Sequence, residues 1–95
     1  MNIGSAIRQI RKDRLGLTQE QFAEKIGISC VYVGRIESGK SKPSIALMER
    51  MSEILEIPIV ILLFFSLSQS DIVPEKRAAF RLIKPSIDEL IKTIL

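Results

Sequence analysis

The stretch from residue 17 to residue 39, LTQEQFAEKIGISCVYVGRIESG, allows few backbone paths. Its small, apolar and turn-forming residues are spaced for two short helices crossing over a tight turn. Thr18 can cap a helix that begins at Gln19, and Gln21 can reach back to the amide of the cap, giving a reciprocal capping box. Gly27 stands where the chain must turn, because glycine takes the positive φ that ends a helix at little steric cost. Ser29 caps the second helix and Gly39 ends it. Ala23 falls where the two helices approach most closely, and a larger side chain there would push them apart. Phe22, Ile26, Ile28, Val33 and Ile36 are expected to point inward. An ordinary helical hairpin needs only an apolar stripe and a turn glycine. Here the stripe, the small crossing residue, both caps and both terminal glycines agree over the whole stretch.

The flanks extend the same pattern. Asn2 can cap a first helix in which Ile3, Ala6, Ile7 and Ile10 recur at helical spacing, ending near Arg14. After Gly39 comes a short basic loop, KSKPS. Pro43 cannot continue a helix, and Ser44 can cap a helix from about Ile45 to Glu56. Ile45, Leu47, Met48, Met51, Ile54 and Leu55 are expected to supply core, with the methionines as filler. Pro58 suits the start of a helix over Ile59 to Phe65. The polar SLSQS segment, Ser66 to Ser70, then marks a boundary. Beyond it Pro74 opens a helix through about Leu82, Pro85 interrupts that helix, and Ser86 with Glu89 makes another capping box. Ile87, Leu90, Ile91, Ile94 and Leu95 form one apolar face, to be buried on the same domain or against a second chain. Residues 57 to 65 are more apolar than a small core needs. Together the two segments predict a dimer surface built from Ile59, Leu62, Leu63, Phe65, Ile87, Leu90, Ile91 and Ile94.

Composition narrows the chemistry. Ninety-five residues with 46% hydrophobic content suit one compact helical unit. The net charge of +3 is modest but unevenly spread. Residues 1 to 42 carry eight Lys and Arg against four acids, whereas residues 43 to 65 carry one against three. A basic segment of this kind is the footprint expected of a surface that neutralises phosphate, although a solvated surface can carry the same charge. Cys30 is the only cysteine, which leaves no internal disulfide and suits a reducing cytosol. With no histidine, a zinc site of the usual composition cannot be built within one chain, and no metal or cofactor is expected. No glycine-rich phosphate loop and no carboxylate cluster beside a nucleophile is present, so no enzymatic reaction can be assembled. The N-terminus alternates like an amphipathic helix rather than a signal peptide. The apolar run from Ile57 to Phe65 falls well short of the ~20 residues that cross a bilayer, so no membrane partner is expected and the location is read as cytoplasmic.

Four segments between Ile3 and Leu63, namely IGSAIRQIRK, LTQEQFAEKIGIS, VGRIESGKSKPS and LMERMSEIL, together resemble the Cro and repressor type helix-turn-helix family of phage and bacterial regulators. The likeness covers about two thirds of the chain. It implies an all-α, lambda-repressor-like domain of five short helices over residues 1–66, the third being the recognition helix. A C-terminal helical extension over residues 67–95 would follow. Relative to the family there is one extra residue before the glycine that precedes the second helix, and Leu15 is identified as the insertion. The resemblance also implies an ion pair between Arg11 and Glu37, the alternative for Arg11 being a phosphate contact. It places the amide of Gln19, at the positive end of the second helix, against a phosphate oxygen.

A recognition helix presents the residues opposite its buried stripe. With Val33 and Ile36 inward, Cys30, Val31, Gly34 and Arg35 face outward as candidate base readers. Arg35 is the strongest, since a guanidinium can donate two hydrogen bonds to guanine O6 and N7. Its alternatives are a phosphate contact or a salt bridge to Glu20. Tyr32, Ser38, Lys40 and Lys42 are candidate phosphate contacts. The implied function is a transcription regulator, a repressor or autoregulatory controller, that binds an inverted-repeat operator in double-stranded DNA as a homodimer. The alternative is an antitoxin that binds a protein toxin and regulates its own operon.

Overall fold

The computed structural model of the chain describes residues 2–94, the side chain of residue 94 excepted, and its regular structure is entirely helical. Helix α1 (Ile3–Gln9) runs directly into a single π-helical turn (Ile10–Arg14). Helices α2 (Gln19–Ile26), α3 (Cys30–Glu37), α4 (Ile45–Leu55) and α5 (Ile59–Phe65) follow. Two 3-10 turns, Gln69–Asp71 and Pro74–Lys76, lead into α6 (Arg77–Ile94).

Helix starts are set by side chains that satisfy first-turn amides. Asn2 Oδ1 accepts from the Ser5 amide at 3.0 Å, Ser29 Oγ from Tyr32 at 3.1 Å, and Ser44 Oγ from Leu47 at 3.1 Å. At α2 the capping box is complete, with Thr18 Oγ1 accepting from the Gln21 amide and Gln21 Oε1 accepting from the Thr18 amide. Gly27 and Gly39 lie at φ 83° and 82°, so the turns after α2 and α3 both use the left-handed region.

The core gathers Ile7 and Ile10 from the first helical segment, Phe22, Ala23 and Ile26 from α2, Val33 and Ile36 from α3, and Met48 and Met51 from α4. Ile57 and Leu62 close it. Two expectations change here. Ile45 is 68% exposed rather than core. As the first residue of α4 its Cβ tilts toward the N-terminus, so its side chain projects past the end of the packed layer. Leu62, expected at a dimer surface, is only 5% exposed and packs in the protomer's own core. Ile59, Leu63 and Phe65 are half-buried against that same core.

The extension also differs from expectation. Pro85 does not interrupt it, and α6 is one helix of 18 residues with the proline inside. A mid-helix proline costs about 3 kcal/mol, through the lost backbone bond and the ring's clash with the preceding turn. Contacts on either side of the proline favour the continuous helix. Arg77 Nε donates to the carbonyls of Gln69 and Ile72, each at 2.9 Å, and ties the first turn down. Lys84 Nζ reaches Asp88 at 2.9 Å, bridging the proline, and lies 5.6 Å from the Phe64 ring centroid on α5. Ile91 is buried and Ile87 half-buried, while Leu82, Ile83 and Leu90 stay exposed. The side chain of Ile94 lies outside the described residues. Thus α6 buries one shoulder of its apolar face and leaves the other in water.

One glycine that the sequence pattern does not single out is required by packing. A Cβ built on Gly4 would collide with the backbone carbonyl of Ile36 and press on that of Glu37, so α1 can cross the end of α3 only without a side chain there. Gly4→Ala should therefore destabilise the fold by about 1–3 kcal/mol, read as a lower midpoint in urea unfolding. Gly34→Ala is the control. Its built Cβ meets nothing nearer than Gln19 Oε1 at 3.9 Å, so it should match or exceed the wild-type midpoint through helix propensity alone.

Candidate nucleic-acid interface

The α2–α3 pair is held from behind by one guanidinium. Arg11, in the π turn, donates from Nε to Glu37 Oε2 at 2.7 Å and from Nη2 to Glu37 Oε1 at 2.9 Å. Its Nη1 donates to the Leu17 carbonyl at 2.7 Å. The two charged side chains are only 8% and 3% exposed. Gln19 Nε2 adds a third hydrogen bond to Glu37, at 3.0 Å. Burial alone would raise the Glu37 carboxyl, but the hydrogen bonds from Arg11 and Gln19 and the positive fields of Arg11 and Arg8 outweigh it and hold it below the usual carboxylate range. The hydrogen bond to Glu37 likewise raises Arg11.

With its inner face fixed, α3 turns its other side outward. Val33 and Ile36 are buried, while Val31 is 75% exposed and Arg35 is exposed. Cys30, Tyr32 and Gly34 are half-exposed. The space over Gly34 is bordered by the Gln19 side chain, which brings the N-terminus of α2 against the middle of α3. Because Thr18 and Gln21 satisfy each other in the capping box, the Gln19 amide is left at the positive end of α2. Lys40 and Lys42 are exposed in the loop that follows α3. Ser38 spends its hydroxyl on the Arg35 carbonyl at 3.2 Å. Among the described residues Arg35 makes no ion pair with Glu20. Its Nε donates instead to Ser41 Oγ at 3.0 Å.

Three features escape the sequence reading. The Gln19 side chain joins the Arg11–Glu37 pair, the Leu17 carbonyl is the third acceptor of Arg11, and Ser41 meets Arg35. Each joins residues from separate elements through a polar group that has no periodic signal. Only the family position of Gln19 could have drawn attention to one of them.

Because the folded state holds Glu37 in its charged form, the pair contributes fully above the ordinary carboxyl value of 4.5 and its contribution is lost as pH falls through the lower folded value. Urea midpoints should drop as the pH is lowered below that range. Glu37→Gln should cost about 3–5 kcal/mol at neutral pH by leaving Arg11 buried without its counter-charge, and should flatten the acid limb. An unchanged acid limb in the variant would show that other carboxyls govern acid unfolding.

Comparison with known proteins matches this architecture. A helix-turn-helix family model matches residues 7–62, from the middle of α1 to α5. The HTH-type transcriptional regulator YazB of Bacillus subtilis is 43% identical over 54 residues, covering 57% of this chain and 77% of its own length. The immunity repressor protein of Bacillus phage phi105 is 39% identical over 59 residues, 62% of this chain and 40% of the repressor. The control protein C.MunI of a Mycoplasma species is 32% identical over 59 residues, 62% of this chain and 80% of its own length. The chain spans about two fifths of the length of several relatives it matches, two rhizobial HTH-type regulators and the phage repressor among them. No solved structure gives a significant match. With the matched segment covering more than half of the residues and containing the capped α2–α3 pair and its Arg11–Glu37 clamp, the chain belongs to the helix-turn-helix family of transcriptional regulators.

Proposed function

We propose that the chain is a sequence-specific regulator that lays α3 in the major groove of double-stranded DNA and acts as a repressor or autoregulatory controller. The observation that carries this reading is the division of α3 into a locked inner face and an open outer one. Val31 and Arg35 project from the open side, and Gly34 between them has no side chain to hold the helix away from base edges. Arg35 reads a guanine; Val31 and Cys30 make apolar contacts. The Gln19 amide, Tyr32, Lys40 and Lys42 meet phosphates and set the register, whereas Ser38, its hydroxyl donated to the Arg35 carbonyl, does not. The relatives named as an immunity repressor and a control protein support the regulatory role.

A single such unit makes few base contacts, so selectivity calls for two units on a two-fold site with half-sites one turn, ~34 Å, or a multiple of that apart. The exposed stripe of Leu82, Ile83 and Leu90 on α6 supports pairing through that helix. It is also the surface an antitoxin would offer to a toxin.

Selection of duplexes from a random pool should return a two-fold symmetric consensus. Arg35→Ala should relax the preference at one base pair per half-site, by about 1–3 kcal/mol. Lys40→Ala should weaken all duplexes alike and lower the salt slope by about one. Equal loss by Arg35→Ala on operator and scrambled DNA, measured by fluorescence anisotropy, would remove Arg35 as a base reader. In sedimentation, replacing Ile83 and Leu90 together by Glu should convert a dimer to a monomer without altering the helical signal. A wild-type chain that sediments as a monomer and selects an asymmetric consensus would leave the α6 stripe to a different protein.

A further inference from the structure

We infer that Ser41 is a positioning residue for base reading, fixing which edge of the Arg35 guanidinium faces the groove. The inference rests on the reading that Arg35 meets a guanine. Ser41 is tied to Arg35 twice: its amide donates to the Arg35 carbonyl at 3.1 Å, and its Oγ accepts from Arg35 Nε at 3.0 Å. The first bond places the serine against the last turn of α3, and the second uses that placement to hold the far end of the side chain. Ser41 is half-buried and Pro43, two residues on, is buried, so the anchor is seated in the protein although Arg35 is exposed.

The chemistry follows from the shape of the guanidinium. It can approach a guanine by the edge that pairs Nε with one Nη, or end-on by its two terminal nitrogens. With Nε donating to Ser41, only the terminal edge keeps two parallel N–H groups for O6 and N7. The hydroxyl also restrains a long, freely rotating side chain before DNA arrives, which reduces the ordering cost of binding. Since Ser41 lies between Lys40 and Lys42, phosphate contacts that seat the loop would also seat the arginine, coupling backbone contact to base reading.

The test uses the full chain and the duplex recovered by wild-type selection, with each base pair of one half-site substituted in turn. Ser41→Ala should reduce, by about fivefold, the preference for guanine at the position that depends on Arg35, leaving affinity for random-sequence duplex unchanged. Ser41→Thr, which keeps the hydroxyl, should stay within about twofold of wild type. In nitrogen-edited spectra of the free protein, the Arg35 Nε–H signal should be protected in wild type and Ser41→Thr and exposed to exchange in Ser41→Ala. Retained guanine preference in Ser41→Ala would overturn the inference, as would equal weakening on all duplexes, which would mark the hydroxyl as a phosphate contact. Arg35→Ala separates the two levels. If it erases the preference while Ser41→Ala does not, only the positioning role fails; if it leaves every preference intact, the base-reading assignment fails and takes the positioning role with it.

Discussion

The arrangement of the first three helices depends on the guanidinium of Arg11. Its three bonded nitrogens reach a carboxylate at the end of α3 and a backbone carbonyl just before α2, so one planar group spans three parts of the chain. A buried pair of this kind is no more stabilising than well-packed apolar residues of the same volume, because desolvation consumes most of the Coulombic gain. Its contribution is therefore geometric. Two parallel N–H···O bonds define an orientation that apolar contact leaves free to slide. On the other side of the same crossing, Gly4 lets α1 rest directly on the backbone of Ile36 and Glu37. Side-chain clamp and backbone contact meet at the same residue of α3, and together they fix both its distance from α1 and its rotation.

The π-helical turn that follows α1 lies beside that clamp without disturbing it. Leu15 donates its amide to the Ile10 carbonyl at 3.0 Å, a five-residue return that widens the helix by one residue. Arg11 and Leu17 bracket the widened turn and bond to each other in both directions, the Leu17 amide to the Arg11 carbonyl at 3.0 Å and Arg11 Nη1 to the Leu17 carbonyl. The widened turn is thus contained between two residues whose relative position is pinned. Leu15 itself is half-buried against the core and contributes apolar contact.

What was legible in the residues was what is encoded locally. Asn2, Thr18, Ser29 and Ser44 cap where their spacing to the following amides predicts, and Gly27 and Gly39 turn where a positive φ is needed. The meeting of Arg11 with Glu37 came from family likeness, since nothing in the local spacing links two residues so far apart. Expectations fail where packing overrules a local rule. Pro85 is a helix breaker by itself, yet α6 runs through it, with Arg77 tied down before it and Ile91 buried after it. Leu62 reads as surplus hydrophobicity until α5 is seen to close the core with it. Gly4 looks like an unfavourable helical residue, and only the approach of α3 explains it. Ser41 is one polar residue in a basic loop, and its significance depends on a chain reversal that brings it back beside Arg35.

The composition of α3 itself argues that its outer face answers to something beyond the protomer. Eight residues are too few for a helix to stand alone in water, and CVYVGRIE is rich in β-branched residues and contains glycine, so its intrinsic helix propensity is low. The helix persists because Val33 and Ile36 are embedded in the core, Ser29 caps its start, and Glu37 is clamped at its end. Those contacts account for the inner face completely. They leave unexplained why an exposed position holds Val31 and a half-exposed one Gly34, where alanine or a charged residue would favour both helix and solubility. Local choices that oppose stability and have no compensation within the fold mark the places where function sets the residue. On α3 those places adjoin Arg35 and the loop that carries Lys40, Ser41 and Lys42, so the residues least favourable to the helix lie on the surface proposed above to meet DNA.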